Sequence, residues 1–177
     1  MFNINKLWLV PVALAVLMAP VFGQQQGIDA APVPAQILAA KKVFISNAGE
    51  ERNPDGDLDF SGGADRAYNQ FYGAIRNWGQ YEVVATPADA DLVLEIRLAA
   101  VNGSRVTAGP TFYYQLRLVI LDPKTHTTLW TCVEHAVGAG RQKTRDAAFD
   151  RAMTLLMGDL KTLAAKGGIT VDAAPSK

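Results

Sequence analysis

The sequence predicts an α/β two-layer sandwich of order β-α-β-β-β-β-α, a mostly antiparallel sheet with two helices on one face. Three observations predict it. Leu92, Leu94, Ile96 and Leu98, then Tyr114, Leu116, Leu118 and Ile120, alternate with a period of two, which gives strands with one buried face. Tyr68, Phe71, Ile75 and Trp78, then Phe149, Met153, Leu156, Leu160 and Leu163, recur at helical spacing. Turn dipeptides punctuate these runs, and a few strands with two amphipathic helices pack most simply as two layers.

The elements follow in order. Lys42 to Ser46 is a short β-branched and aromatic run, a first strand. An acidic, glycine-containing stretch from Ala48 to Gly63 leads to the first helix, with Ser61 a fitting N-cap and Gly79 a fitting C-terminal stop. Tyr81 to Ala85 is a second strand and Leu92 onward a third. Asn102-Gly103 turns the chain into the fourth strand, Phe112 to Leu121. Asp122-Pro123 turns it into the fifth, Thr128 to Val137, and Gly138 and Gly140 break that strand before the last helix. Parity then suggests a register. With Leu116, Leu118 and Ile120 facing the helices, they should lie beside Val133, Thr131 and Leu129. Arg117 would stand opposite Cys132, Gln115 opposite Glu134, and Val119 beside Trp130, all on the helix-free face.

The chain has 177 residues with 17 basic and 17 acidic side chains, 49% hydrophobic residues and one cysteine. Balanced charge excludes the clustered basic footprint of a nucleic-acid binder. A single cysteine excludes a disulfide framework and any multi-thiolate metal site. At the start, Lys6 precedes an uncharged apolar run from Leu7 to Phe22, too short for a comfortable membrane span. Val21-Phe22-Gly23, with small or moderate residues at the −3 and −1 positions of a signal-peptidase site, and the switch to Gln24-Gln25-Gln26 read as a secretory signal peptide, residues 1–23. Residues 24–34 form a linker rich in Gln, Ala and Pro, 35–166 a single α/β domain, and 167–177 a C-terminal tail. The expected location is periplasmic or secreted, with no stable membrane span after signal cleavage.

Two segments carry a resemblance. Thr86-Pro87-Ala88-Asp89-Ala90-Asp91-Leu92-Val93-Leu94 enters a strand, and Leu118 to Thr125 followed by Leu129-Trp130 forms a strand-turn-strand. Together they resemble small bacterial envelope domains: the lipoprotein activators of penicillin-binding proteins, the curli-secretion lipoproteins and the N-terminal domain of the periplasmic Tol translocation protein. The resemblance implies an envelope domain that works through protein contacts without catalysis. The chain departs from the lipoproteins in having no cysteine after its apolar run.

The motifs that could carry chemistry are sparse. Cys132 and His135 differ by three positions on a strand and so point to opposite faces, which disfavours a shared ion with His126 or Glu134. Gly138 to Thr144 sits between a strand and a helix, but Gln142 stands where a P-loop needs its second glycine, so no nucleotide is expected. Asp55, Asp57 and Asp59 alternate in a loop that could offer oxygens to Ca²⁺, but Phe60 and Arg66 occupy the places of the EF-hand glycine and terminal Glu. No nucleophile elbow, zinc-protease helix or paired carboxylates appear, so no catalytic residue and no cofactor are assigned and the chain reads as a non-enzyme.

What remains is the helix-free sheet face. Tyr113, Arg117, Val119, Trp130 and Glu134 are its candidate partner-binding residues, since mixed aromatic, apolar and arginine character suits a protein interface. An ordinary solvated sheet face with cross-strand ion pairs has the same composition. The expected partner is another envelope protein or a second copy. The alternative function is a small-ligand or Ca²⁺ module centred on the acidic loop 50–59.

Overall fold

The computed structural model describes residues 31–51, 60–102, 112–137 and 141–166. The signal-like start, Asp55, Asp57 and Asp59, and the Gly138–Gly140 turn lie outside the described residues. The sheet and its helices belong to the unit Pro32–Lys177.

The elements are α1 (Ala35–Ala39), β1 (Lys42–Glu51), α2 (Arg66–Trp78), β2 (Glu82–Val83), β3 (Leu92–Asn102), β4 (Phe112–Leu121), β5 (Thr128–Ala136) and α3 (Gln142–Ala165). The α/β class and the predicted order hold, with a short helix added at the start. The strand order is β2-β1-β3-β4-β5. β1 pairs in parallel with β2 and β3, and the longer ladders β3–β4 and β4–β5 are antiparallel.

The period-two runs do what their pattern requires. Leu92, Leu94, Ile96 and Leu98 of β3 and Leu116, Leu118 and Ile120 of β4 are buried under the helices. Phe71 and Ile75 of α2, and Phe149, Leu156 and Leu160 of α3, close the same core. Ile37 of α1 joins it, 1% exposed. A single buried residue in a five-residue helix is too little periodicity to announce an element from sequence.

α2 ends where expected: Gly79 takes φ 70° and its N–H donates to the Ile75 carbonyl at 3.2 Å. The left-handed conformation costs glycine nothing and other residues about 1 kcal/mol or more. Its start differs from the expectation. Asp65, not Ser61, flanks the first turn, because Gly62 and Gly63 adopt φ 95° and 73° and keep the chain out of the helix until Arg66. Ser61 instead donates its backbone N–H to the Asp146 carboxylate at 2.8 Å.

Arg66 ties the two long helices together. Its guanidinium donates to Asp146 at 2.6 Å and to Asp150 at 2.7 Å, and lies 4.3 Å over the Phe149 ring. It also donates to the Ser61 carbonyl at 2.9 Å.

The β4–β5 register differs from the expectation by one residue. Leu116 pairs with Glu134, Arg117 with Val133, Leu118 with Cys132, Val119 with Thr131 and Ile120 with Trp130. The cause is a β-bulge: Leu121 pairs with Thr128 while Ile120 pairs with Trp130, so Leu129 is an extra residue that inverts the parity of everything after it. Trp130 and Glu134 therefore lie on the helix side, not on the open face. Arg117 stays outside regardless, because its position is set by the β3–β4 ladder.

Candidate functional site

The helix-free face is built in rows across four strands. Phe44 of β1, Val93 of β3 and Leu121 of β4 form one row. Ser46, Glu95, Val119 and Thr131 form the next, and Arg97, Arg117 and Val133 a third. Glu51, Ala99, Gln115 and His135 complete it. Of the five candidate residues, Arg117 and Val119 sit here. The Tyr113 side chain lies outside the described residues, and Trp130 and Glu134 belong to the other layer.

The face is polar at its centre. Arg97 and Arg117 stand directly opposite each other in the ladder. Arg97 donates to Glu51 at 3.0 Å, a pair exposed enough for water to screen it. Arg117 is exposed and makes no ion pair among the described residues. Gln115 and His135, also opposite each other, bond side chain to side chain at 3.1 Å. Val93 and Ala99 are covered by their neighbours, 7% and 5% exposed. The sequence expectation missed Arg97 as a partner of Arg117, although the alternation of β3 placed both on one face.

Trp130 packs, half-buried, against the core. Glu134 meets Asp159 of α3, and burial, then the Asp159 charge and hydrogen bond, push its carboxyl above the usual glutamate range. Cys132 is buried beside them, and burial followed by the charges of Asp159 and Glu134 pushes its thiol up to about 11. A thiol held protonated is a poor nucleophile and a poor metal ligand. His135, on the opposite face, acts on Glu134 through its charge alone and partly offsets that rise; among the described residues no group of three His, Cys, Asp or Glu side chains is placed to hold an ion.

Two carboxylates line a cavity of about 390 Å³ between α1 and the β4–β5 turn. Asp91 accepts the backbone N–H groups of Lys41 and Lys42, both at 2.8 Å, and Asp122 that of Lys124 at 2.8 Å. These bonds hold both carboxyls below their ordinary range, Asp91 pinning the start of β1 beside β3 and Asp122 closing its own turn.

Compared with known protein families and with characterised proteins, the chain has no match. Solved structures to which it is similar include a PelC dodecamer from Paraburkholderia phytofirmans, at 17% identity and TM-score 0.40, over 75% of this chain and 91% of that one. A putative neuraminyllactose-binding hemagglutinin homolog from Helicobacter pylori is similar at 10% identity and TM-score 0.43, over 73% of this chain and 89% of that one. An uncharacterized lipoprotein B from Nitrosomonas europaea is similar at 13% identity and TM-score 0.38, over 81% and 96% of the two chains.

Proposed function

We propose that this chain is an exported, non-catalytic protein of the cell envelope that binds another protein through its helix-free sheet face. The observation that carries the reading is the Arg97–Arg117 pair. Like charges directly opposite in a ladder are destabilising, and Glu51 reaches only one of the two guanidiniums. Such a pair is relieved by a carboxylate brought from outside, so the fitting partner presents an acidic patch. The flanking Val119, Leu121 and Val133 supply the apolar part of the contact. Export rests on the lysine-then-apolar start of the sequence, and among the described residues no helix is long and apolar enough to cross a membrane.

The test is retention of the partner from a detergent-solubilised envelope fraction at low and high salt. Arg117→Glu should lose the partner at least tenfold with an unchanged melting temperature, and salt should weaken the wild-type complex. Equal retention by the variant would overturn the reading. A calorimetric Ca²⁺ titration tests the alternative: a site in loop 50–59 would have to bind without the Glu51 carboxylate, which Arg97 already holds.

A further inference from the structure

A different surface lies at the β5 edge of the sheet. No described strand pairs beyond β5, so one side of Thr128–Ala136 presents its backbone N–H and C=O groups outward. α3 packs chiefly over this last strand. Between them runs a groove of about 350 Å³, lined by His135, Val137, Thr144, Ala147, Ala148 and Arg151. It straddles the edge, because His135 belongs to the helix-free face and the α3 residues to the opposite layer. Val137 and Leu155 are the two large apolar side chains most exposed among the described residues, at 69% and 50%. Val137 lines the groove. Leu155 lies one turn beyond Arg151 and one turn before Asp159, which reaches Glu134.

The topology says what kind of strand fits. β1, α2 and β2 form a parallel crossover that steps outward from β1. β5 runs parallel to β1, and α3 lies on the same face as α2. A strand continuing from α3 along the outside of β5 would step the other way, giving a crossover of opposite hand. Such crossovers share one hand in roughly 98% of cases. A second copy pairing β5 with β5 is also disfavoured. It would set two α3 helices, each packed chiefly over its own β5, above strands about 4.8 Å apart, where packed helices need about 8–10 Å.

We propose that the β5 edge and the exposed stripe of α3 beside it form a strand-accepting groove for an extended segment of another protein. The segment adds to the sheet through its backbone, as in strand augmentation. It lays apolar side chains on Leu155 and Val137 and sets an acidic side chain against Arg151. Glu134, a charged residue turned inward on the edge strand, keeps indiscriminate pairing down.

The test uses the full chain, isotopically labelled, and a blocked heptapeptide of alternating valine and threonine with one aspartate. Saturable amide shifts confined to Thr128–Ala136 and the Ala147–Leu155 stretch are expected. Arg151→Glu and Leu155→Lys should each weaken binding about tenfold with unchanged melting, Arg117→Glu should not, and a peptide N-methylated on alternate amides should fail. Absence of saturable binding at millimolar peptide, shifts centred on Arg97 and Arg117 in β3 and β4, or equal binding by the N-methylated peptide would overturn the proposal. So would self-association of the chain that protects the β5 amides, which would make a second copy the occupant.

Discussion

Arg97 and Arg117 face each other across the β3–β4 ladder, and a one-residue slip cannot separate them without exposing the core. Each is followed by a fully or nearly fully buried leucine, Leu98 and Leu118, so a one-residue slip of either strand would carry an arginine inward. The cost of the cationic pair is thus locked in by the apolar face of the same two strands.

That locking yields the first prediction. Leu116→Ala or Leu156→Ala, both 0% exposed, should cost about 2–5 kcal/mol in urea melts. Arg117→Ala should be neutral or stabilising, since it removes the like-charge opposition. A loss for Arg117→Ala equal to that for Leu116→Ala would contradict the face assignment.

The bulge at Leu129 gives the second. Trp130 packs on the core, so Trp130→Glu should lower the melting temperature sharply, while Thr131→Glu, exposed on the other face, should leave it nearly unchanged. The reverse outcome would restore the unbulged register.

Glu134 gives a pH prediction. Its carboxyl is raised in the folded protein, so between the ordinary glutamate value of about 4.3 and the raised value the folded state holds more protons than the unfolded one. Stability is therefore fullest below that ordinary value and falls as pH rises through the raised one. Glu134→Gln should melt higher than wild type at pH 7, and the gap should close toward about pH 4. A variant that melts lower at neutral pH would show the pair to be net favourable.

Asp146 has the opposite sign. The Ser61 N–H, with Arg66 and Gln142, holds its carboxyl far below the usual range, so its contribution is present above about pH 4 and is lost as pH falls. Asp146→Asn should lower the melting temperature at pH 7 and make less difference in acid. A constant difference across pH would remove the ionised carboxylate as the cause.

Cys132 supplies a probe of the core. With its thiol pushed up to about 11 and its side chain buried, it should react with a disulfide reagent slowly at pH 8 and quickly after denaturation. Rapid reaction of the folded protein would mean that β5 opens readily.

β3, β4 and both long helices were legible because each carries enough apolar periodicity to bury one face. The β5 register was not. Leu129, Trp130, Cys132 and Val133 offer apolar side chains at both parities, so alternation alone selects no face, and a one-residue bulge decides it. The open face was legible through Arg117 and Val119, whose strand is fixed on both sides. Arg66 was hidden for another reason: its partners Asp146 and Asp150 lie about 80 residues away, beyond any local pattern.

The strand order has a consequence for how the chain can fold while it is being made. β1, α2 and β2 emerge first, yet a long β1 with a two-residue parallel neighbour is no stable sheet. They need β3, which inserts beside β1, and β3 in turn gains its second neighbour only when β4 arrives. The β3–β4–β5 meander, whose strands follow one another closely in sequence, has the short-range pairing that forms fast. Nucleation should accordingly begin in the C-terminal half, with β1, α2 and β2 left unpaired until synthesis is nearly complete.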